Sequence, residues 1–125
     1  MADIAKLELV RDGAATLVFL SGAATQDIVA DVPDERMTII VQNLDTQTAR
    51  VWIRKGDGIK SVDGDLYVDV AQNAVKIIGP LESARFKDMD TGRITVDITD
   101  DDSATAPSVF AGTITNVKIK PVYIP

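Results

Sequence analysis

Hydrophobic and polar residues alternate with a period of two along much of the 125-residue chain. The clearest run, Asp65–Val70, places Leu66, Val68 and Val70 on one face and polar or amphipathic side chains on the other. Arg93–Thr99 has the same pattern. This alternation is typical of a strand with one buried and one wet face. The residues are largely the β-branched and aromatic types that suit a pleated sheet, so the pattern predicts strands throughout.

Turn-forming residues divide the chain into short segments. Two paired glycine turns, Lys55–Gly58 and Val62–Asp65, are expected to have positive φ at glycine. Met89–Gly92 predicts a hairpin between its flanking strands, and Asp100–Ser108 has the composition of a loop. The predicted strands are Lys6–Val10, Ala15–Leu20, Met37–Gln42, Arg50–Arg54, Asp65–Val70, Val75–Ile78, Ser83–Lys87, Arg93–Thr99 and Phe110–Ile124.

Strands of this length and spacing, roughly eight or nine in number, indicate a β-sandwich or a barrel. We favour an all-β, antiparallel β-sandwich in a single domain over residues 1–125, with a jelly roll as one form of it. Periodicity does not set the strand order. Pro121 has no N–H to donate to a ladder, so it predicts an edge position or a bulge. A single helical turn is compatible with Pro33–Arg36.

Cysteine and histidine are both absent from the sequence. Thiol nucleophiles, disulfides, Cys/His zinc sites and histidine-based acid–base catalysis are therefore excluded. Carboxylate or lysine chemistry stays open in principle. A carboxylate glycosidase pair is not expected in a chain of this length with 5% aromatic residues. We therefore predict a protein without enzymatic activity or cofactor, which acts by binding or assembly.

Charge narrows the set of partners. The net charge is −6, and the sequence has none of the Lys/Arg runs that mark a basic patch, so nucleic acid and acidic membranes are not expected partners. No apolar run approaches the about 18 residues of a membrane helix. The first residues lack the features of a signal peptide, which predicts synthesis in the cytoplasm.

Four segments follow one another in a distinctive order: Met37–Asn43 (MTIIVQN), Arg50–Gly58 (RVWIRKGDG), Gly64–Val70 (GDLYVDV) and Ile78–Lys87 (IGPLESARFK). Over Met37–Asp97, roughly half of the chain, this order and spacing resembles small structural proteins of tailed bacteriophages and prophages. These are head decoration, cement or head-fibre proteins. The opening residues, with the pattern LxLVRDGAA, are similar to the start of such proteins.

The resemblance implies a β-sandwich component of the virion, made in the host cytoplasm, that binds the assembled head as a capsid decoration subunit. It implies two partners, the major capsid protein and further copies of this chain, in a homo-oligomer with a trimer favoured. Nucleic acid and membrane are not among them. A tail- or fibre-associated virion protein would have the same fold and composition, so that alternative stays open.

Clustered carboxylates are the first candidate site, since Ca²⁺ prefers six to eight oxygen ligands. The EF-hand spacing is absent, and the alternative is a solvated, charged loop. The Asp-rich glycine turns at 56–58 and 63–65 are a second candidate for Ca²⁺ or sugar, with ordinary hairpin turns as the favoured explanation. The Ca²⁺ candidates are Asp97, Asp100, Asp101 and Asp102, with Asp88 and Asp90 before the predicted hairpin.

Four side chains are candidates for interaction with a partner. Trp52 and Tyr67 are out of phase with their aliphatic neighbours, which predicts that they share the wetter face of a sheet. If exposed together they would form the platform of a carbohydrate-binding module, the alternative function; otherwise they pack against a neighbour or a partner subunit. The other two are Tyr123, and Arg85 paired with a carboxylate such as Glu82 or one on a neighbouring chain.

The two ends of the chain, Met1–Leu9 and Lys118–Pro125, are strand-like and apolar. We expect them to close the sandwich within one molecule. In an assembly, the same segments could add as strands to another subunit or to a capsid protein.

Overall fold

The computed structural model describes residues 2–9, 11, 13–29, 36–101 and 110–123. These residues form ten strands and one turn of α-helix, and none of their helices is long and apolar enough to cross a membrane. The elements are β1 (Ala2–Ile4), β2 (Leu7–Glu8), β3 (Leu20–Ser21), β4 (Thr25–Val29), β5 (Met37–Asn43), β6 (Ala49–Ile53), β7 (Leu66–Val70), β8 (Val75–Ile78), α1 (Ser83–Phe86), β9 (Arg93–Asp100) and β10 (Val117–Tyr123).

The strands form two mixed five-stranded sheets. Sheet A has the order β1-β4-β9-β6-β7. Sheet B has the order β2-β10-β5-β8, and the short β3 lies beside β2 on the same edge of β10. The β1–β4 and β2–β10 pairs are parallel, whereas the other pairs are antiparallel. The predicted all-β, sandwich-like class is therefore confirmed, with parallel pairing where the first two strands join the sheets.

The core lies between the sheets and is built from the alternating aliphatic positions. On β9, Ile94, Val96 and Ile98 are all buried, as the period of two predicts. Each fully buried side chain of this size contributes about 1.5–3 kcal/mol relative to the exposed state. The largest fully buried side chains are Ile4, Ile28, Ile39, Val41, Val51, Ile53, Val70, Leu81, Ile94, Val96, Ile98 and Ile119.

The predicted strand Ala15–Leu20 is wrong except at its last residue. Only Leu20 and Ser21 pair with β10, opposite Ile119 and Lys118. Beyond this pair β10 has only Lys120 and Pro121 before Leu7 and Glu8 of β2 occupy the edge opposite Val122 and Tyr123, and Pro121 has no N–H to donate. Residues 14–19 are consequently left outside both sheets.

Pro121 lies in a central strand, and its missing N–H explains why that strand tolerates it. The carbonyls of Val117 and Tyr123 accept hydrogen bonds from Gly22 and Leu9 on the β2–β3 edge. Alternation along the strand directs the backbone of Pro121 to the same edge, between the ends of β2 and β3. The sequence predicted an edge position or a bulge for Pro121. The structure instead places Pro121 within the sheet, opposite the gap between β2 and β3.

The predicted strand Ser83–Lys87 is also wrong, because residues 83–86 form α1. The amides of Phe86 and Lys87 donate to the carbonyls of Glu82 and Ser83, and the turn buries Phe86 in the core. The turn predicted at Met89–Gly92 is present, and a single bridge between Lys87 and Ile94 follows it. The hairpin therefore joins a helical turn, rather than a strand, to β9.

The last strand is shorter than predicted. The run Phe110–Ile124 forms strand only over Val117–Tyr123, after a 3-10 turn at Ile114–Asn116, while Phe110 is buried outside any strand. The helical turn suggested for Pro33–Arg36 and most of the loop predicted for Asp100–Ser108 lie outside the described residues.

A buried polar network fastens the turn between β5 and β6. The Asn43 side chain donates from Nδ2 to the carbonyls of Gln47 and Val70, 2.8 and 2.9 Å away, and its Oδ1 accepts from the Asp45 amide at 2.9 Å. Hydrogen bonds from the amides of Gln47 and Thr113, and then from the side chain of Asn116, lower the pKa of Asp45. One carboxylate thus ties this turn to the segment before β10.

Candidate functional site

The outer face of sheet A collects the polar and aromatic side chains of β6, β7 and β9. The strand register sets Arg50 between Asp69 on β7 and Thr99 on β9. It sets Trp52 between Tyr67 and Asp97 in the same way. Alternation along three paired strands therefore brings these side chains into contact on one surface.

Arginine–aspartate pairs link the three strands. Arg50 makes a bidentate contact with Asp69, with Nε–Oδ1 and Nη2–Oδ2 distances of 2.8 and 3.2 Å. The hydrogen bond that Arg50 donates to Asp69 raises the pKa of Arg50. Arg54 lies between two carboxylates, 2.6 Å from Asp97 and 3.0 Å from Asp65. All three carboxylates are thus held by arginine side chains of β6 and the residue that follows it.

Trp52 and Tyr67 share this face, as predicted, with ring centroids 5.1 Å apart and planes tilted by 51°. Trp52 is only 4% exposed, because Arg54 stacks on its ring at 4.6 Å and Tyr67 covers another side. Its Nε1 donates to the hydroxyl of Thr99 at 2.8 Å. A sugar platform needs both rings exposed together, and this arrangement does not provide that.

The carboxylates predicted as a Ca²⁺ site lie apart where the structure describes them. Asp97 faces outward and pairs with Arg54, whereas Asp100 lies at the end of β9 and accepts a hydrogen bond from the Ala111 amide at 2.8 Å. Asp101 is exposed beyond the strand, and Asp102 lies outside the described residues.

A different acidic group forms where two turns meet. Carboxylate oxygens of Asp57, Asp88 and Asp90 lie within 4.8 Å of one another, and this is the one such group among the described residues. The amide of Met89 donates to Asp57, which fixes the two turns together. The sequence alone places Asp57 in one turn and Asp88 and Asp90 at another, and it does not predict that the two turns meet.

Glycine makes this meeting of turns sterically feasible. A Cβ on Gly56 would overlap the backbone carbonyl of Lys87, and one on Gly58 would lie 2.5 Å from the carbonyl oxygen of Ala84. The close approach of the Lys87 and Ala84 backbone therefore explains why residues 56 and 58 are glycine. Positive φ, the predicted reason, holds at Gly64 in the second turn, where φ is +77°.

We expect the Asp90→Asn substitution to raise the melting temperature slightly, by less than the about 4–8 °C that 1 kcal/mol represents for a small domain. The substitution removes one of three neighbouring negative charges, and it leaves the Asp57 contact with Met89 in place. Thermal unfolding at low and high salt measures the effect, which should shrink as salt screens the repulsion.

Asp69→Asn is the matched control, because the Asp69 carboxylate is paired with Arg50 and its loss should lower the melting temperature. A fall in melting temperature for Asp90→Asn would contradict the expected repulsion.

Arg85 has a different role from the predicted pairing with a carboxylate. Its Nε donates to the carbonyl of Gly64 at 3.0 Å, and its Nη2 reaches the carbonyls of Asp63 and Asp65. Glu82 pairs with Lys60 instead, at 2.8 Å, and the Lys60 hydrogen bond lowers the pKa of Glu82. Arg85 therefore fastens the β6–β7 loop onto α1.

Tyr123 is half-buried and packs against the core, on the inner side of β10. Of the four predicted interaction residues, Tyr67 is the most exposed to solvent. Trp52, Arg85 and Tyr123 are engaged within the molecule.

Large exposed aliphatic side chains also lie in the β6–β7 loop and on the edge strand β8. Ile59 and Val62, in the β6–β7 loop, are 90% and 87% exposed, and the exposed Met89 lies on the adjoining turn. We call these three residues the loop tip. Val75 and Ile77, on the edge strand β8, are 54% and 69% exposed. Neither group was singled out from the sequence, which named Val62 and Met89 only as turn residues and Val75 and Ile77 only within a predicted strand.

Comparisons of the chain with protein-family models, with curated proteins and with solved structures find no match.

Proposed function

We propose that this protein is a non-enzymatic structural subunit of a bacteriophage particle, specifically a capsid decoration subunit that binds the assembled head. The proposal begins from the segment order over Met37–Asp97, which resembles small phage structural proteins. In the fold the four segments supply β5, β6, β7 and α1, and the stretch that contains them also includes β8 and most of β9.

The observation that carries the proposal is the loop tip. Aliphatic side chains exposed to this degree cost solvation free energy in an isolated protein, so a group of them marks a surface that contacts a partner. The backbone beneath them is held in place, because Lys60 and Gly56 donate amide hydrogen bonds to the carbonyls of Ala84 and Arg85. A rigid, apolar projection is suited to inserting into a pocket on a shell.

Polar groups near the loop tip favour an oriented contact. The Asp57, Asp88 and Asp90 carboxylates lie next to Met89, so the apolar side chains are bordered by negative charge. An interface with an apolar centre and a polar rim is the usual organisation of protein contacts. We expect the coat-protein surface that receives this tip to be apolar with a basic border.

The test is co-sedimentation of the purified protein with undecorated head shells and with free coat protein. We expect binding to the assembled shells and none to unassembled coat protein. An Ile59→Ser/Val62→Ser variant should bind at least about tenfold more weakly, because each truncated anchor residue costs about 1 kcal/mol or more.

Leu44→Ser is the control, since Leu44 is exposed in the turn between β5 and β6, away from the loop tip. It should bind like the wild-type protein. Failure of the wild-type protein to co-sediment with shells would refute the proposed function. Equal binding by the Ile59→Ser/Val62→Ser variant would refute the assignment of the loop tip.

A further inference from the structure

One edge of sheet B is open. Strand β8 pairs with β5 on one side, and no described strand pairs with its other side. Edge strands in monomeric proteins are commonly protected by charged side chains, a proline, a bulge or a very short length. Strand β8 has the sequence VKII, in which Lys76 is the one charged residue and Val75 and Ile77 project to solvent. This edge is therefore suited to accepting another strand.

The same chain carries a strand-forming segment that pairs with no strand among the described residues. Residues 14–19 (AATLVF) have the composition of a strand, but pairing on β10 stops at Leu20. Leu17 and Val18 are exposed to solvent. The segment is fixed at both ends, by the hydrogen bond from Leu9 to Tyr123 and by the pairing of Leu20 with Ile119. We call residues 14–19 the free segment.

The free segment and the open edge cannot pair within one molecule. They lie at opposite edges of sheet B, with β10 and β5 between them. Neighbouring strands are about 4.8 Å apart, so the separation is at least about three strand spacings. The ten residues between Leu9 and Leu20 must also return to the β10 edge. Any pairing between the two features therefore joins two copies of the chain.

Charge at these two features does not oppose a second copy as the occupant. The chain has a net charge of −6, so two copies repel each other over most of their surfaces. The free segment has no charged residue, and β8 has only the positive Lys76. Contact between these two features brings no pair of like charges together.

We propose that the free segment of one copy adds as a strand to β8 of the next copy, so that sheet B continues from subunit to subunit. The contact is head-to-tail, which means that repeated contacts form a ring where the rotation between copies closes. Strand addition supplies backbone hydrogen bonds, and Val18 would pack beside Val75 and Ile77, while Leu17 would face the other side of the sheet. The proposal rests on the proposed function, because it describes how such a subunit forms its homo-oligomer.

Ring closure is needed to make this contact stable. Specific interfaces usually bury about 1,200 Å² or more in total, which exceeds what one short added strand provides. In a closed ring every copy uses both its free segment and its open edge, and the contacts reinforce one another. We therefore expect cooperative assembly without a large population of dimers.

Sedimentation velocity of the full chain tests the proposal, with circular dichroism to check that each variant is folded. Wild-type protein should sediment as a closed oligomer. Val18→Lys and Ile77→Lys, each at an exposed position, should lower the self-association constant at least about tenfold, as expected for losing one well-packed contact. Leu44→Lys is the control and should assemble like the wild-type protein. A wild-type monomer, or assembly unaffected by either substitution, would overturn the proposal.

Cross-linking identifies which surfaces meet. Because the chain has no cysteine, Val18→Cys and Ile77→Cys variants can be mixed and treated with a short bis-maleimide. A covalent dimer from the mixture, absent from either variant alone, is the expected result. A dimer from Ile77→Cys alone would instead indicate a two-fold β8–β8 contact and would refute the head-to-tail arrangement.

Shell binding separates this proposal from the proposed function. A folded, monomeric wild-type protein that co-sediments with shells would refute strand addition between copies and leave the decoration role standing. An oligomer that shows the 18–77 cross-link but does not bind shells would refute the decoration role alone.

Discussion

The Asn43→Leu variant is expected to be less stable than the wild-type protein by about 3–5 kcal/mol, because the change removes a side chain whose hydrogen-bonding groups are all used. Asn43 is fully buried. Leucine of similar volume would leave the Asp45 amide and the carbonyls of Gln47 and Val70 without their partners. Urea unfolding measures the loss as a lower midpoint at an unchanged m-value.

Gln42→Leu is the matched control, one position earlier on β5. Gln42 is half-buried on the opposite side of the strand, and substitutions at such positions usually change stability by no more than about 0.5 kcal/mol. A loss below about 1 kcal/mol for Asn43→Leu would mean that water replaces the lost hydrogen bonds, contrary to the expected cost of unpaired buried groups.

The Arg54→Met variant is expected to lose about 3–5 kcal/mol, because it leaves a buried carboxylate without its cation. The Asp97 side chain is 9% exposed and lies 2.6 Å from Arg54. Methionine keeps much of the packing on Trp52 but cannot pair with Asp97 or Asp65. Urea unfolding again provides the measurement, and tryptophan fluorescence reports whether the ring becomes exposed.

The double variant Arg54→Met/Asp97→Leu should recover most of this loss, since replacing both members of a buried ion pair by apolar groups is often neutral. Arg93→Met is the exposed counterpart, because Arg93 pairs with the solvent-exposed Asp3, and it should cost less than about 1 kcal/mol. If the double variant were no more stable than Arg54→Met, the loss could not be assigned to the unpaired Asp97.

Sequence periodicity predicts several strands to within one residue. Val75–Ile78 coincides with the edge strand β8, and the predicted Met37–Gln42 and Arg93–Thr99 each differ from β5 and β9 by one residue at the end. In β5 and β9 the aliphatic positions of one face are buried, so the apolar period and the pleat agree. The all-β class follows directly from them.

Long-range contacts decide the segments that sequence reasoning misses. Thr25–Val29 was not predicted as a strand, because its polar residues hide the period, yet it pairs with β9 and buries Gln26 and Ile28. Residues 15–19 have the strand composition, but Pro121 has no N–H to pair with them, and the positions of β10 beyond it are taken by β2 from earlier in the chain. Local sequence does not show which of the two segments pairs with β10.

In the candidate site, too, local alternation is predicted from the sequence and long-range contacts are not. Alternation places Trp52 and Tyr67 on one face, but it does not reveal that Arg54 covers the indole ring. The grouping of Asp57 with Asp88 depends on the close approach of Gly56 to the Lys87 backbone, which joins turns that are distant in sequence.

The parallel pairing of β2 with β10 has a consequence for how the chain folds. The first strand of sheet B meets the last one, and the hydrogen bond from Lys120 to the Ala5 carbonyl spans 115 positions. Contacts of such high sequence separation slow folding, because a large loop must close before they form. During synthesis, sheet A can begin to assemble around β4, β6 and β9, whereas one edge of sheet B waits for the last strand to be translated. In a nascent chain β2 therefore stays without its partner until β10 has been made, well after the β5–β8 pair can form.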